Sequence, residues 1–192
     1  MTQTQVPQLD PQTAQAEAAQ RGDLVAWERL VRQYQEPVYR VAYLIVRDTE
    51  LAEKATQSTF VRAFRALPSY EPDLGLLPWF IRIAAGESRQ ARRESGRTTR
   101  SSRPVERSNG PKFPAAAVPG LAEAAHFSPH ERQAVTEAFD RLGEEDRLVI
   151  AARYLFGLSR ADAANALSLS SGLIDENLRV AVKHLRERLA AA

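Results

Sequence analysis

The sequence predicts an all-α protein, two small helical domains joined by a flexible linker, and three observations lead there. Apolar residues recur at helical spacing through 22–93 and again through 128–190, with no convincing strand alternation in either stretch. Between them, residues 94–127 are dominated by Ser, Arg, Gly and Pro and then by small residues, a composition that builds no regular element across most of its length. The chain has 192 residues, 44% hydrophobic and 26% charged, which suits a globular protein of one domain or two small ones.

Each element follows from its residues. Residues 1–21, rich in Gln and Ala with Pro7 and Pro11, hold few large apolar side chains and read as a flexible N-terminal tail. Trp27, Leu30, Val31 and Tyr34 fall on one face of a first helix. Pro37 suits the first turn of a second helix, with Val38, Val41, Ala42 and Ile45 as its stripe. A third helix spans about 49–67, with Thr56, Phe60, Ala63, Phe64 and Leu67 on one side. Pro68–Gly75 is turn chemistry. A fourth helix runs from about Leu76 to Arg93, burying Phe80, Ile83 and Ala84. Order resumes at Ser128-Pro129-His130-Glu131, a capping box with proline at the first helical position. Four helices are expected after it, at about 129–141, 144–155, 159–167 and 171–188.

Charge is unevenly placed. The formal net charge is only +2, from 26 basic and 24 acidic residues. Yet Arg89, Arg92, Arg93, Arg97, Arg100, Arg103 and Arg107 stand against only Glu94 and Glu106 in residues 89–107. Such a block is a candidate contact for a phosphate backbone; a solvated basic linker is the other reading. There is no cysteine, which excludes a disulfide scaffold, a thiolate metal site and a cysteine nucleophile, and fits a reducing compartment. No apolar run reaches the length of a membrane span, and the first basic residue is Arg21, unlike a secretory signal. A cytoplasmic protein without membrane insertion is expected. No phosphate-binding loop, dinucleotide fingerprint or zinc-hydrolase motif is present. His126 and His130 share i, i+4 spacing but lack a third ligand. No metal, cofactor or catalytic residue is expected, and the chain reads as a non-enzyme.

The informative stretch is Leu158–Leu185. Ser159 caps a short helix with Ala163, Ala164 and Leu167 inward, Ser168-Leu169-Ser170 form a tight turn, and a longer helix opens at Ser171-Gly172. Ile174, Leu178, Ala181 and Leu185 share one face of that helix. A short helix, a tight turn and a longer helix make a helix-turn-helix, whose second helix can enter a DNA major groove. Two antiparallel helices of a small bundle would give the same pattern.

The residues LGEEDRLVIAARYLFGLSRADAANALSLSSGLIDENLRVAVKHLRERL resemble region 4 of bacterial extracytoplasmic-function sigma factors. GDLVAWERLVRQYQEPVYRVAYLIVRDTELAEKATQSTFVRAFRALPSY, followed by PWFIRIA, resembles their region 2. The two matches are colinear. The resemblance implies a divergent alternative sigma factor, in which 22–93 is a region 2-like domain, 94–127 a basic linker and 128–190 a region 4-like domain. It implies core RNA polymerase and promoter DNA as partners, with an anti-sigma protein as a further one. Carried over position by position, it puts polymerase binding at Lys54, Gln57, Ser58 and Val61. The loop Tyr70–Gly75 corresponds to the loop that captures a flipped −10 base. Tyr70, Trp79, Arg82, Arg89, Arg92 and Arg93 are the implied −10 contacts, where planar groups suit unstacked bases and cations suit the backbone. A half-buried core role for Trp79 is the alternative. In the helix-turn-helix the implied DNA contacts are Ser170, Ser171, Leu173, Asp175, Glu176, Asn177, Arg179 and Lys183.

Several positions depart from the family pattern. Lys54 and Ser58 stand where acidic residues are usual. Asp175 and Asn177 stand where Lys and Arg are common, and Ser168 replaces a turn glycine. Acids at 175 and 176 suit the positive end of a helix but repel DNA phosphates. They motivate a second reading, a degenerate sigma-like protein acting through protein contacts without promoter-specific binding. A dimeric helix-turn-helix repressor or activator is a third, disfavoured because 22–93 looks like region 2.

Overall fold

The computed structural model describes residues 11–98 and 128–190; residues 99–127 of the linker expected over 94–127, the first ten residues and the last two lie outside them. The described residues are helical, with no strand among them. Eight helices carry the fold: α1 Pro11–Gln20, α2 Leu24–Val46, α3 Thr49–Ala66, α4 Leu76–Thr98, α5 Pro129–Asp140, α6 Glu144–Ile150, α7 Arg160–Leu167 and α8 Ser171–Ala190.

Within the expected tail 1–21, Pro11–Gln20 form helix α1, and residues 1–10 lie outside the described residues. Pro11–Gln20 has no large apolar residue, but Ala16 and Ala19 are buried against the core. Its glutamines reach neighbours: Tyr34 Oη donates to Gln12 Oε1 at 3.1 Å and Gln15 Nε2 to the Ala26 carbonyl at 3.3 Å. Small side chains let the helix backbone approach closely, and polar side chains fasten it.

Asp23 starts α2, its carboxylate accepting from Val25 and Ala26 amides at 2.8 and 3.1 Å. The expected break at Pro37 does not occur, and α2 runs on through it. An interior proline costs about 3 kcal/mol. Leu30, Tyr34, Val38, Val41 and Ile45 form one buried face on both sides of it, and that continuous packing offsets the cost. The helix ends at Arg47 in the left-handed region, φ 56°.

In α3 the buried stripe is rotated from the expected one. Ala52, Ala55, Thr59 and Ala63 face inward, while Phe64 is exposed and Phe60 and Thr56 are half-buried. The small stripe brings α3 close to α2 and α4, and the two phenylalanines flank Trp27 with ring centroids at 6.4 and 5.2 Å. Thr59 Oγ1 donates to the Ala55 carbonyl at 2.7 Å, so its buried hydroxyl is satisfied. Two short 3₁₀ turns, Leu67–Ser69 and Pro72–Leu74, lead to Gly75, whose φ of 65° turns the chain into α4. Helix α4 runs five residues into the segment expected to be linker, ending at Thr98. Leu76, Trp79, Phe80, Ile81, Ala84 and Ala85 are its buried apolar residues, with Ile83 half-buried.

The second unit starts at Pro129. After α6 the chain widens into a π-helical turn, Ala151–Leu155, that ends when the Leu158 amide donates to the Ala152 carbonyl at 2.9 Å. Ser159 caps α7, accepting from the Asp162 amide at 3.1 Å. Ser168 closes α7 at φ 57°, in the left-handed region that glycine adopts most easily. Ile174 and Ala181 are fully buried on α8.

The two units share one core. Helix α7 lies on α4, and α6 meets the end of α2. Arg147 is buried there, donating to the Leu44 carbonyl through Nη2 at 2.9 Å and Nε at 3.2 Å, and also to the Leu142 carbonyl. Burial, and after it the charge of Arg47, lowers the pKa of its guanidinium from the ordinary value. Arg47 itself pairs with Asp140 at 2.8 Å.

Candidate functional site

Helix α3 has one face in the core and one in solvent. Lys54, Gln57, Ser58, Val61 and Arg65 all lie on the exposed face. Val61 is 53% exposed, and Phe64, also 45% exposed, adds apolar area beside it. Arg62 reaches Glu87 of α4 at 2.7 Å and fixes the edge of the face. Such a strip, apolar at its middle and polar at its rim, gains by being covered by another protein.

The residues expected to face a melted DNA strand divide into three groups. Tyr70 and Trp79 are buried: they are 5% and 6% exposed, with rings 5.1 Å apart, and Trp79 also lies edge-on to Phe80 at 4.9 Å. Large aromatic surfaces are worth more buried together than displayed, and both rings lie in the core of this unit. Arg82 and Arg93 are exposed on α4. Arg89 and Arg92 are engaged by Glu144 at the start of α6, at 2.9 and 2.5 Å, and Arg92 also donates to the Ile45 carbonyl at 3.2 Å. Burial pushes the Glu144 carboxyl up, but hydrogen bonds and charge from the two arginines outweigh it and hold the group below the usual carboxylate range.

In the helix-turn-helix, Ser170, Ser171, Leu173, Asp175, Glu176, Arg179 and Lys183 are exposed and Asn177 is half-exposed. The cations are matched by acids. Arg160 of α7 pairs with Asp175 at 2.9 Å, Arg179 with Glu176 at 2.6 Å, and Lys183 with Glu187 at 3.7 Å. The Arg179 hydrogen bond and charge lower the pKa of Glu176, and Glu176 raises that of Arg179. His184 Nδ1 lies 2.6 Å from Asp146 Oδ2. Asp175 and Glu176 thus act first on neighbouring arginines.

Sequence reasoning missed Glu144, Arg147, Asp140 and Gln20. The acidic run Glu144-Glu145-Asp146 was visible as the first turn of a helix, but not its partners 52 and 55 residues earlier. No group of three or more potential metal ligands occurs among the described residues.

Comparison with known proteins agrees with this architecture. Residues 30–98 match the sigma-70 region 2 family. The extracytoplasmic-function sigma factor SigE of Mycolicibacterium smegmatis is 29% identical over 165 residues, 86% of this chain and 62% of the relative. The sigma-E factor of Salmonella typhimurium is 29% identical over 160 residues, 82% of this chain and 83% of the relative. The RNA polymerase sigma-H factor of Pseudomonas aeruginosa is 34% identical over 84 residues, 44% of this chain and 40% of the relative. The chain thus spans about two-fifths to three-fifths of the lengths of the Pseudomonas and Mycolicibacterium relatives. Among solved structures, CnrH in complex with the cytosolic domain of CnrY superposes with a TM-score of 0.66 at 24% identity, covering 95% of this chain and 99% of that one. RpoE of Bartonella quintana, solved with the anti-sigma factor NepR, gives 0.62 at 19% identity, covering 85% and 96%. Both share the fold. The chain is thus similar to extracytoplasmic-function sigma factors over most of its length, and its residues 30–98 match the region 2 family. Among the described residues no helix is long and apolar enough to cross a membrane.

Proposed function

We propose that the protein is an alternative sigma factor, which binds core RNA polymerase and directs it to promoters for transcription initiation. The observation that supports this best is the exposed face of α3. Lys54, Gln57, Ser58 and Val61 stand together there, with apolar area that a partner protein would cover. On this reading the protein works in the cytoplasm, is not an enzyme, and takes promoter DNA and an anti-sigma protein as further partners. Arg82 and Arg93 offer cations to a DNA backbone, while Arg89 and Arg92 must first leave Glu144. Ser170, Ser171 and Leu173 present the leading end of α8 to a −35 duplex.

The acid–base pairs of α7 and α8 favour a second reading: binding to polymerase through α3 without sequence-specific contact by the helix-turn-helix. Titration of purified core enzyme with the full chain, followed by run-off transcription from a promoter library, separates the two. Core binding with start sites that share −10 and −35 sequences supports the sigma factor. Core binding without promoter-dependent transcripts supports the second reading, and absence of core binding overturns both.

A further inference from the structure

The end of α1 touches the loop 70–75, for which the family resemblance implies a role at the −10 base. Gln20 is the last residue of α1. Its side-chain amide nitrogen donates to two carbonyls, Leu67 at 2.9 Å and Tyr70 at 3.0 Å. These oxygens bracket the 3₁₀ turn where α3 gives way to the loop 70–75. A primary amide has two N–H donors, and both are used on one short stretch of backbone.

This contact differs from the loop's other supports. The Tyr70 amide donates to the Leu67 carbonyl, the Gly75 amide to Pro72, and the Tyr70 ring lies on Trp79. All of those come from within residues 67–79. Gln20 is 47 and 50 residues away in sequence and ties the loop to a separate element. That element is itself fixed. Ala16 and Ala19 are buried, Gln12 and Gln15 are bonded to Tyr34 and Ala26, and the Asp23 amide donates to the Ala18 carbonyl at 3.1 Å around Gly22, φ 93°. The Gln20 amide is therefore a strut held at one end by a packed helix and at the other by the loop entrance. Beyond Tyr70 the loop residues Glu71, Pro72 and Asp73 are exposed.

We infer that Gln20 is a positioning residue for base recognition: it sets the placement of the loop 70–75 against an unpaired promoter base without touching DNA. This rests on the sigma-factor reading above. Removing the donor takes one hydrogen bond from each carbonyl, the Leu67 oxygen keeping the Tyr70 amide, and loosens the tie between α1 and the loop entrance, at the scale of one or two hydrogen bonds.

The test uses the full chain bound to core polymerase, with Gln20→Met, which keeps the length of the side chain but not its donors, and Gln20→Glu, which replaces donors by acceptors. Binding is measured to forked DNA carrying the preferred or a substituted base at each −10 position. Both variants are expected to lose about two- to tenfold of base discrimination, with helicity and affinity for core unchanged. Hydrogen exchange at the Tyr70, Leu74 and Gly75 amides is expected to accelerate. Discrimination equal to wild type in both variants overturns the inference. So does a parallel loss of core affinity and helicity, which marks a purely structural role. If the wild-type complex itself ignores the −10 bases, the sigma-factor reading fails and takes this one with it. Accelerated exchange alone would then record only a structural tie.

Discussion

On α3, Val61 and Phe64 are 53% and 45% exposed beside Lys54, Gln57 and Ser58, whereas on α7 and α8 the arginines at 160 and 179 each hold a carboxylate within 3 Å. The first surface leaves apolar area in water and gains by being covered. The second has already spent its charge on local partners, and each pair must open before an arginine can meet a phosphate. Between the two surfaces lies a third kind of chemistry, the buried Arg147 that joins them by backbone carbonyls. The contrast teaches that this fold can keep both units intact while preparing them unequally for partners. The first unit leaves apolar area uncovered, and the second has its exposed Arg160 and Arg179 already paired with acids.

The comparison is most strongly tested at the joint. Arg147→Met removes bonds to the Leu44 and Leu142 carbonyls and leaves buried oxygens unpaired. It is expected to cost about 2–4 kcal/mol and to split one unfolding transition into two in urea, the second unit melting first. A single transition at the wild-type midpoint would mean the units do not depend on this residue.

Glu144→Gln probes the outer part of the same joint. Its two partly exposed pairs are expected to contribute about 0.5–1 kcal/mol each. Glu144 is held below the usual carboxylate range, so its contribution is present above that range and lost as pH falls through its lowered pKa. Distance between labels on the two units should therefore widen in acid in the wild type and show less pH dependence in the variant. A pH-independent distance in the wild type would count against Glu144 as the closing group.

Smaller effects lie within the second unit. Ser168 holds a left-handed backbone at φ 57° that glycine adopts without a Cβ clash. Ser168→Gly should raise its stability by about 0.5–1 kcal/mol, read from the melting of that unit. Asp175→Asn frees Arg160 and removes an anion from the groove side. Affinity for duplex DNA at low salt should rise roughly two- to fivefold. A fall in affinity confined to one base position would instead make Asp175 a reader of that base.

Much of the fold was legible in spacing. The helices of the second unit follow from Ser128-Pro129, the Ser159 cap and the stripe Ile174–Leu185, because capping and periodicity are local. The exposure of Lys54, Gln57, Ser58 and Val61 on α3 was legible for the same reason, since residues opposite an apolar stripe must face water, although the stripe itself is rotated. What failed depends on contacts between distant residues. Helix α1 is held by alanines and glutamines, which carry no hydrophobic signal. Pro37 reads locally as a helix start, and only packing along all of α2 keeps the helix whole. Tyr70 and Trp79 resemble a stacking platform for bases until each is seen covering the other. The arginine run reads as free charge, and nothing near it in sequence reveals that Glu144 will occupy two of its members.

That occupation alters what a salt titration would count. A cation freed from water releases condensed counterions when it meets DNA, and each new phosphate contact adds about 0.9 to the slope of log affinity against log salt. Arg89 and Arg92 share the single negative charge of Glu144. If they pass from that carboxylate to a nucleic acid, one anion is exchanged for another, and the release is smaller by about one charge. The apparent phosphate count of the full chain then understates the arginines on the strand, and the same titration with Glu144→Gln restores the missing unit.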